Sequence, residues 1–232
     1  WSEQGTDGVR VVRASSGQQA QISGLLRILS TREPKVRPIL VHRSEDSVLD
    51  RPGSESIPRK MAGGRPRVAP CTGAWWGDDR HLVVANFHGQ HVRVYRYRED
   101  GLELLHHQDH SFAPPEDVAV SPDGRLMAVT HTMPGEDMVS LHQLEPESLK
   151  PGPILAKFGR GCCPHGLTFS ADSRFVLVTE IMTGSVLVYR LDGARVRRVQ
   201  TFRPPLAPRV PKSVAVTADG RYVAVAHSAE VA

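Results

Sequence analysis

An eleven-residue segment recurs along this chain and constrains its fold more than any other feature. It reads Ser121-Pro-Asp-Gly-Arg-Leu-Met-Ala-Val-Thr-His131, and related segments lie at residues 170–180 and 217–227, with a shorter form at 77–86. The arginines that follow the turn of each copy are 45, 49 and 47 residues apart, at positions Arg80, Arg125, Arg174 and Arg221. A period of about 40–50 residues built from short apolar runs is typical of β-propeller blades.

Each copy predicts the strands of one blade. Residues 118–120 form a first strand, Ser-Pro-Asp-Gly forms a tight turn, and residues 126–129 form a second strand that is apolar on both faces. Third strands alternate at 91–98 and 185–190, and fourth strands are expected at 102–106, 153–157 and 195–202. The prediction is an all-β protein, a β-propeller of four-stranded antiparallel blades, with about four clear blades at residues 70–232.

The first 69 residues predict a less regular unit. Residues 25–29 and 38–41 are candidates for the first two strands of a degenerate N-terminal blade. Residues 43–67, which are rich in Ser, Glu, Arg, Pro and Gly, predict a loop. The chain ends soon after a second strand, which leaves an open sheet edge. We therefore expect either that residues 9–13 cross over and close the last blade, or that the ring is incomplete.

The bulk composition narrows the function classes. The net charge is +4, and only five of the 29 basic residues are lysines. No apolar run approaches the roughly 18 residues that span a bilayer, and both phosphate-binding glycine loops and the Gly-x-Ser-x-Gly elbow are absent. Three cysteines, Cys71, Cys162 and Cys163, do not make a disulfide framework. We expect no cofactor, no nucleic-acid partner and no membrane partner.

The ends of the predicted hairpins gather ionisable residues. An antiparallel hairpin brings the start of its first strand beside the end of its second. This geometry predicts four pairs on one face: Glu116 with His131, His165 with Glu180, Lys212 with His227, and Thr72 with Asn86. A histidine that exchanges protons near neutral pH, beside a carboxylate, suits a binding or catalytic site. The alternative is that each pair is a local hydrogen bond between strand ends.

The repeats also resemble a known group of proteins. The second strands end in Val-Ala-Asn86, Val-Thr-His131, Val-Thr-Glu180 and Val-Ala-His227, similar to the Tyr-Val-Thr-Asn repeats of YVTN-type β-propellers. The segment from Pro164 to Glu180 resembles the lactonase (6-phosphogluconolactonase-like) propeller family. That family carries an Arg-His pair ahead of the strand and a glutamate after the next one. Here Glu180 matches the acid, and His165 and Gly166 occupy the positions of the pair.

Two functions follow as hypotheses. In the first, a non-catalytic propeller binds a small molecule or a protein partner at the channel mouth, through His165, Glu180, Glu116, His131, Lys212, His227 and Asn86. In the second, implied by the resemblance, a lactonase-like hydrolase uses Glu180 or His165 as general base while Lys212 steadies the anion.

Other polar and aromatic residues are weaker candidates for a functional site. His131, His227 and Glu180 would form a metal set only if the ring brought them together, and we expect no metal. The cluster from His106 to His110 ends an outer strand and is expected on the rim. Trp75 and Trp76 are expected to fill the core.

Overall fold

The structure is a computed structural model. It describes residues 9–13, 25–30, 37–43, 70–76, 80–87, 89–98, 101–110, 112–131, 139–146, 148–159, 163–203 and 210–228. These residues form strands and turns without any helix, which confirms the all-β prediction. No described helix is long and apolar enough to cross a membrane.

Seventeen strands form five antiparallel sheets in the described part of the chain. The N-terminal sheet contains β1 (Val9–Arg13), β2 (Leu25–Ser30) and β3 (Arg37–Arg43). Blade 1 contains β4 (Pro70–Trp75), β5 (His81–Asn86), β6 (His91–Arg98) and β7 (Gly101–Asp109). Blade 2 contains β8 (Pro115–Val120), β9 (Leu126–His131), β10 (Val139–Glu145) and β11 (Lys150–Phe158). Blade 3 contains β12 (Pro164–Phe169), β13 (Phe175–Glu180), β14 (Ser185–Asp192) and β15 (Arg195–Phe202), and blade 4 contains β16 (Val210–Val216) and β17 (Val223–Ser228).

The repeated turn folds as predicted because each copy carries its own hydrogen bonds. In blade 2 the Ser121 hydroxyl donates to Asp123 Oδ1 at 2.6 Å, and the same carboxylate oxygen accepts the Arg125 N–H at 3.1 Å. Gly124 has a φ of 71°, and an added Cβ would lie 2.8 Å from the Trp76 indole nitrogen. Glycine therefore meets two requirements at this turn, a positive φ and a close contact with blade 1. The same Ser/Thr-to-Asp bond recurs in blades 3 and 4.

The inner strands of blades 2 and 3 are buried on both faces because each of these blades packs against two neighbours, whereas β17 of blade 4 is largely exposed. In β9, Met127 and Val129 pack against blade 1, whereas Ala128 packs against blade 3. All three side chains are fully buried. A third core cluster joins blade 3 to Val214 of blade 4. Strand burial on both faces is what face-to-face blade packing requires, so the propeller prediction is confirmed.

The N-terminal residues differ from one expectation. Val9–Arg13 pairs with Leu25–Ser30, and β3 follows on the other side of β2. Residues 9–13 therefore pair with β2 and with neither β16 nor β17, so of the two alternatives the crossover to the last blade is not observed in the described part of the chain. The two strands expected near residues 25–29 and 38–41 do form, as the second and third strands of their sheet.

Candidate functional site

A β-bulge lies at the same place in all four inner hairpins and changes the register of the expected pairs. A residue at or next to the end of the second strand lies opposite a proline: Asn86 opposite Pro70, His131 opposite Pro115, Glu180 opposite Pro164, and His227 opposite Pro211. The residue after each proline is the extra one, and these residues are Cys71, Glu116, His165 and Lys212. We call this end of the blades the mouth. Because of the bulge, none of the four predicted pairs is a cross-strand pair.

Two threonines explain the bulge in the middle blades. The Thr130 hydroxyl accepts the backbone N–H of Asp117 at 3.0 Å, and the Thr179 hydroxyl accepts that of Gly166 at 2.7 Å. A side-chain oxygen thus takes the place of the carbonyl that a regular ladder would offer. The proline before the bulge has no N–H to donate. In blades 2 and 3 the extra residues, Glu116 and His165, reach a neighbouring blade.

Bulged residues of neighbouring blades meet at the mouth. His165 Nε2 of blade 3 lies 3.1 Å from Glu116 Oε1 of blade 2, with the two side chains 19% and 15% exposed. The other ring nitrogen, Nδ1, lies 2.8 Å from the Lys212 carbonyl oxygen of blade 4. Both ring nitrogens face oxygen acceptors, so a doubly protonated ring donates to both. Glu116 and His165 are therefore brought together across blades at hydrogen-bonding distance, and each side chain keeps some exposure to solvent.

Asp117 ties three blades together just inside the mouth. Its Oδ1 accepts the Thr72 hydroxyl of blade 1 and the Val118 N–H, and its Oδ2 accepts the Leu167 N–H of blade 3 at 2.9 Å. Burial raises the pKa of Asp117, while these hydrogen bonds act in the opposite direction. Asp117 was not among the predicted site residues. Its signal in the sequence is a small polar residue two positions after three of the four prolines, seen as Thr72, Asp117 and Ser213.

Glu180 and Asn86 hold turns at the ends of their strands. Glu180 is only 3% exposed, and its carboxylate accepts the backbone N–H groups of Cys163, Met182 and Thr183 and the Thr183 hydroxyl. Asn86 Oδ1 accepts the Gly89 N–H at 2.8 Å in the same place in blade 1. These bonds hold local turns and differ from the bonds within each predicted pair that the sequence left open as an alternative.

His131 lies below the mouth in a buried histidine cluster. It is fully buried, and its ring packs beside His110 at a centroid distance of 5.4 Å. Burial lowers the pKa of His131 to about 4 and that of His142 to about 4, and burial together with the neighbouring histidines lowers the pKa of His110 to about 2. The expected rim position is wrong for His110, because its exposed fraction is 0%. Trp75 and Trp76 are buried, as predicted.

Charged groups surround the Cys163 thiol near the mouth. Burial raises the pKa of Cys163, the Glu180 carboxylate adds to this, the Lys212 ammonium lowers it, and Glu116 raises it. Lys212 and His227 are both partly buried in blade 4. No group of three or more His, Cys, Asp and Glu is arranged to hold a metal ion within the described residues. The set of His131, His227 and Glu180 is thus not brought together.

Comparisons with known proteins identify the family of this chain and its fold. Residues 43–232 match the family model described as the SMP-30/Gluconolactonase/LRE-like region. No curated protein matches the chain in sequence. A proposed 6-phosphogluconolactonase of Bacteroides fragilis is 15% identical, with a TM-score of 0.64 over 97% of this chain and 63% of that one.

Two further solved structures widen the comparison. The periplasmic gluconolactonase of Pseudomonas aeruginosa is 24% identical, with a TM-score of 0.55 over 88% of this chain and 57% of that one. The β-propeller domain of Cps50 (Swd1) from Myceliophteria thermophila is 11% identical, with a TM-score of 0.56 over 88% of this chain and 64% of that one. The chain thus spans about three fifths of these propellers. At such identities the likeness shows the β-propeller fold.

Proposed function

The chain belongs to the SMP-30/gluconolactonase/LRE-like family, and from this membership we propose that it hydrolyses a small lactone at the mouth. The contact between Glu116 and His165 carries the proposal, because it offers a carboxylate and an imidazole to one ligand. Both side chains retain some exposure, and they belong to neighbouring blades. This agrees with the lactonase-like resemblance, although the acid differs from the one the sequence suggested.

Glu116 is the general base in this proposal. Its carboxylate takes a proton from water, the water oxygen bonds to the lactone carbonyl carbon, and the ring C–O bond then breaks. The proton passes to the departing ring oxygen, and the product is a hydroxy acid. His165 holds the carboxylate through Nε2 and is itself held by the Lys212 carbonyl at 2.8 Å. General base catalysis of this kind contributes about 10²–10⁴-fold to a rate.

Lys212 supplies positive charge to the same reaction. It occupies the bulge position of blade 4, equivalent to Glu116 and His165 in blades 2 and 3. Its ammonium lies within electrostatic reach of the Cys163 thiol beside the mouth. A cation there stabilises the oxyanion that develops on the lactone carbonyl. Glu180 serves the fold in this scheme, since four donors already occupy its carboxylate.

A panel of five- and six-membered aldonolactones tests the proposal. Proton release is followed in a pH-stat at neutral pH, with spontaneous hydrolysis subtracted. We expect turnover by the wild type and a loss of about 10²–10⁴-fold in Glu116→Gln. Glu103→Gln is the matched control, because Glu103 is an exposed glutamate of β7 that pairs with Arg98. If the wild type hydrolyses no lactone faster than Glu116→Gln, the hydrolase proposal is wrong.

Binding without turnover is the second candidate, and Gly166 favours it. This glycine occupies the place of the histidine in the lactonase-like pair. An added Cβ would lie 2.5 Å from the Lys212 carbonyl oxygen and 2.6 Å from Ser213 Cα, so no side chain fits without movement of blade 4. Isothermal titration calorimetry with the corresponding aldonates distinguishes the two functions. Binding that is lost in the double variant Glu116→Gln and His165→Gln, with no lactone turnover in the wild type, would favour a binding protein.

A further inference from the structure

A chain of hydrogen bonds runs through the buried histidine cluster between blades 1 and 2. His110 Nε2 lies 3.4 Å from Gln108 Oε1, and Gln108 Nε2 lies 3.4 Å from His142 Nδ1. The Ser140 hydroxyl lies 2.9 Å from His142 Nε2 and 2.8 Å from His131 Nε2. The chain ends where His131 Nδ1 meets the carbonyl oxygen of Ala113 at 3.0 Å.

That final carbonyl fixes the tautomer of His131. A carbonyl only accepts, so His131 Nδ1 carries a proton, and the neutral ring accepts the Ser140 hydroxyl at Nε2. Ser140 then accepts from His142 Nε2–H, which leaves His142 Nδ1 as the acceptor for the Gln108 amide. The second amide proton of Gln108 points to the Gly152 carbonyl at 3.4 Å, and Gln108 Oε1 accepts from His110 Nε2–H. This arrangement satisfies the contacts along the chain, whereas a proton on His142 Nδ1 would be donated to the Gly152 carbonyl instead.

The carbonyl at the end of this chain belongs to the segment that carries Glu116. The sequence is Ala113-Pro-Pro-Glu116, and its first three residues are buried. Each proline fixes its own φ and restricts the residue before it. Few torsions therefore remain free between the Ala113 carbonyl and the Glu116 backbone. His131 also lies opposite Pro115 in the β8–β9 ladder.

We propose that His131 is a positioning residue for Glu116, which it holds toward His165 through the Ala113 carbonyl and the two prolines. The inference rests on the proposed function for its effect on turnover, but the placement of Glu116 is measurable without any substrate. Ser140, His142 and Gln108 contribute by keeping the proton of His131 on Nδ1. The buried cluster thus acts on the mouth through the backbone, without touching a ligand.

The wild-type protein provides the first test. Long-range ¹H–¹⁵N spectra of the histidine rings report which nitrogen carries the proton. We expect His131 as the Nδ1–H tautomer and His142 and His110 as Nε2–H tautomers at neutral pH. A wild-type His131 found as the Nε2–H tautomer would overturn the proposal, and this measurement does not depend on any variant folding.

Two variants of His131 form a matched pair. The amide of asparagine reaches the place of Nδ1, so His131→Asn keeps a donor for Ala113. The amide of glutamine reaches the place of Nε2, so His131→Gln keeps the contact with Ser140 and loses the donor. The readout is the ¹⁵N shift of His165 Nε2, with Glu116→Gln as the reference for a lost contact. We expect His131→Gln to move this shift toward the reference and His131→Asn to leave it near the wild-type value.

Turnover adds a second readout that separates this inference from the proposed function. On a lactone that the wild type hydrolyses, we expect kcat to fall by ~10-fold or more in His131→Gln, and by much less in His131→Asn, since small displacements of a catalytic group are costly. If no lactone is hydrolysed but the His165 shift responds as expected, the proposed function fails and the positioning role stands. Equal loss of thermal stability in both variants, with the His165 shift unchanged in both, would show a merely structural histidine.

Discussion

His165 Nε2 lies 3.1 Å from Glu116 Oε1, and the contact joins β12 of blade 3 to β8 of blade 2. The same imidazole reaches the Lys212 carbonyl of blade 4 through Nδ1. One ring therefore bridges three blades at the mouth. Its position depends on how the blades pack, so changes at the blade interfaces should alter the site even when they lie outside it.

Asp117 is the first such interface residue. Replacing Asp117 by Asn puts an NH₂ group where the carboxylate accepts donors from Thr72, Val118 and Leu167, so at least one buried N–H or O–H loses its acceptor. We expect the free energy of unfolding to fall by about 1–3 kcal/mol, measured by urea denaturation. Asp192→Asn is the control, because Asp192 is exposed at the end of β14, and we expect a change within about 0.5 kcal/mol. Equal effects in the two variants would contradict the bridging role of Asp117.

Gly166 is the second interface residue whose replacement should alter the site. Its missing side chain allows the Lys212 and Ser213 backbone to approach, and an added Cβ would lie 2.5 Å from the Lys212 carbonyl oxygen. Since backbone atoms have little freedom to move, we expect Gly166→Ala to destabilise the protein by about 1–3 kcal/mol and to weaken the His165–Lys212 contact. Gly101→Ala is the matched control, because nothing lies within 4 Å of a Cβ there. Thermal denaturation of both variants decides the matter, and a Gly166→Ala protein as stable as Gly101→Ala would refute the close contact.

The repeat predicted the inner strands and turns well because their causes are local. Short continuous runs of apolar residues and the Ser-Pro-Asp-Gly turn act over a few residues, and β9 and the turn before it formed as expected. The predicted residue pairs at the mouth do not match the observed register of the hairpins. Hairpin geometry says which strand ends adjoin, but the bulge depends on the Thr130 hydroxyl replacing a carbonyl, and strand spacing does not contain that information.

The buried histidine cluster shows a second limit. His110 follows the end of an outer strand, where side chains usually meet water, yet it is fully buried against His131 and His142. Its burial comes from how blade 1 meets blade 2, a contact between residues distant in sequence. The pairing of Glu116 with His165 likewise crosses two blades. Sequence periodicity could place both residues at the mouth end, but it could not say which neighbour each would meet.

Glu180 and Glu116 should respond differently to the same substitution. Glu180→Gln turns an amide group toward the Cys163, Met182 and Thr183 donors, so we expect a loss of about 1–3 kcal/mol in the free energy of unfolding. Glu116→Gln is the comparison, and we expect its stability to stay closer to the wild type because its side chain lies at the mouth. Chemical denaturation of the two variants is the measurement. If the Glu180→Gln protein keeps its stability but loses all turnover, then Glu180 rather than Glu116 is the catalytic carboxylate.

The buried histidine cluster should lower the free energy of unfolding of the protein in mild acid. Burial lowers the pKa of His131 and His142 from 6.5 to about 4, and that of His110 to about 2. The unfolded chain therefore binds more protons than the folded one between pH 6.5 and about 4. The stabilisation that depends on these neutral histidines is fully present above pH 6.5. As the pH drops through this window, the free energy of unfolding falls with a slope of up to about 1.4 kcal/mol per pH unit for each histidine.

A variant isolates the share of one histidine in that slope. In His142→Gln the side chain no longer titrates. The free energy of unfolding, measured by urea denaturation at several pH values, should therefore fall less between pH 7 and pH 4 than in the wild type. If the three histidines contribute alike, we expect the fall to be smaller by roughly a third. Asp172 and Asp219 do not account for such a slope, because hydrogen bonds lower their pKa below the ordinary 3.8 and both stay ionised across most of the window. His106→Gln is the control, since His106 lies on the outer strand β7 and bonds to the Ser148 carbonyl outside the cluster. A pH dependence that His142→Gln and His106→Gln change equally would mean that the acid sensitivity arises outside the buried cluster.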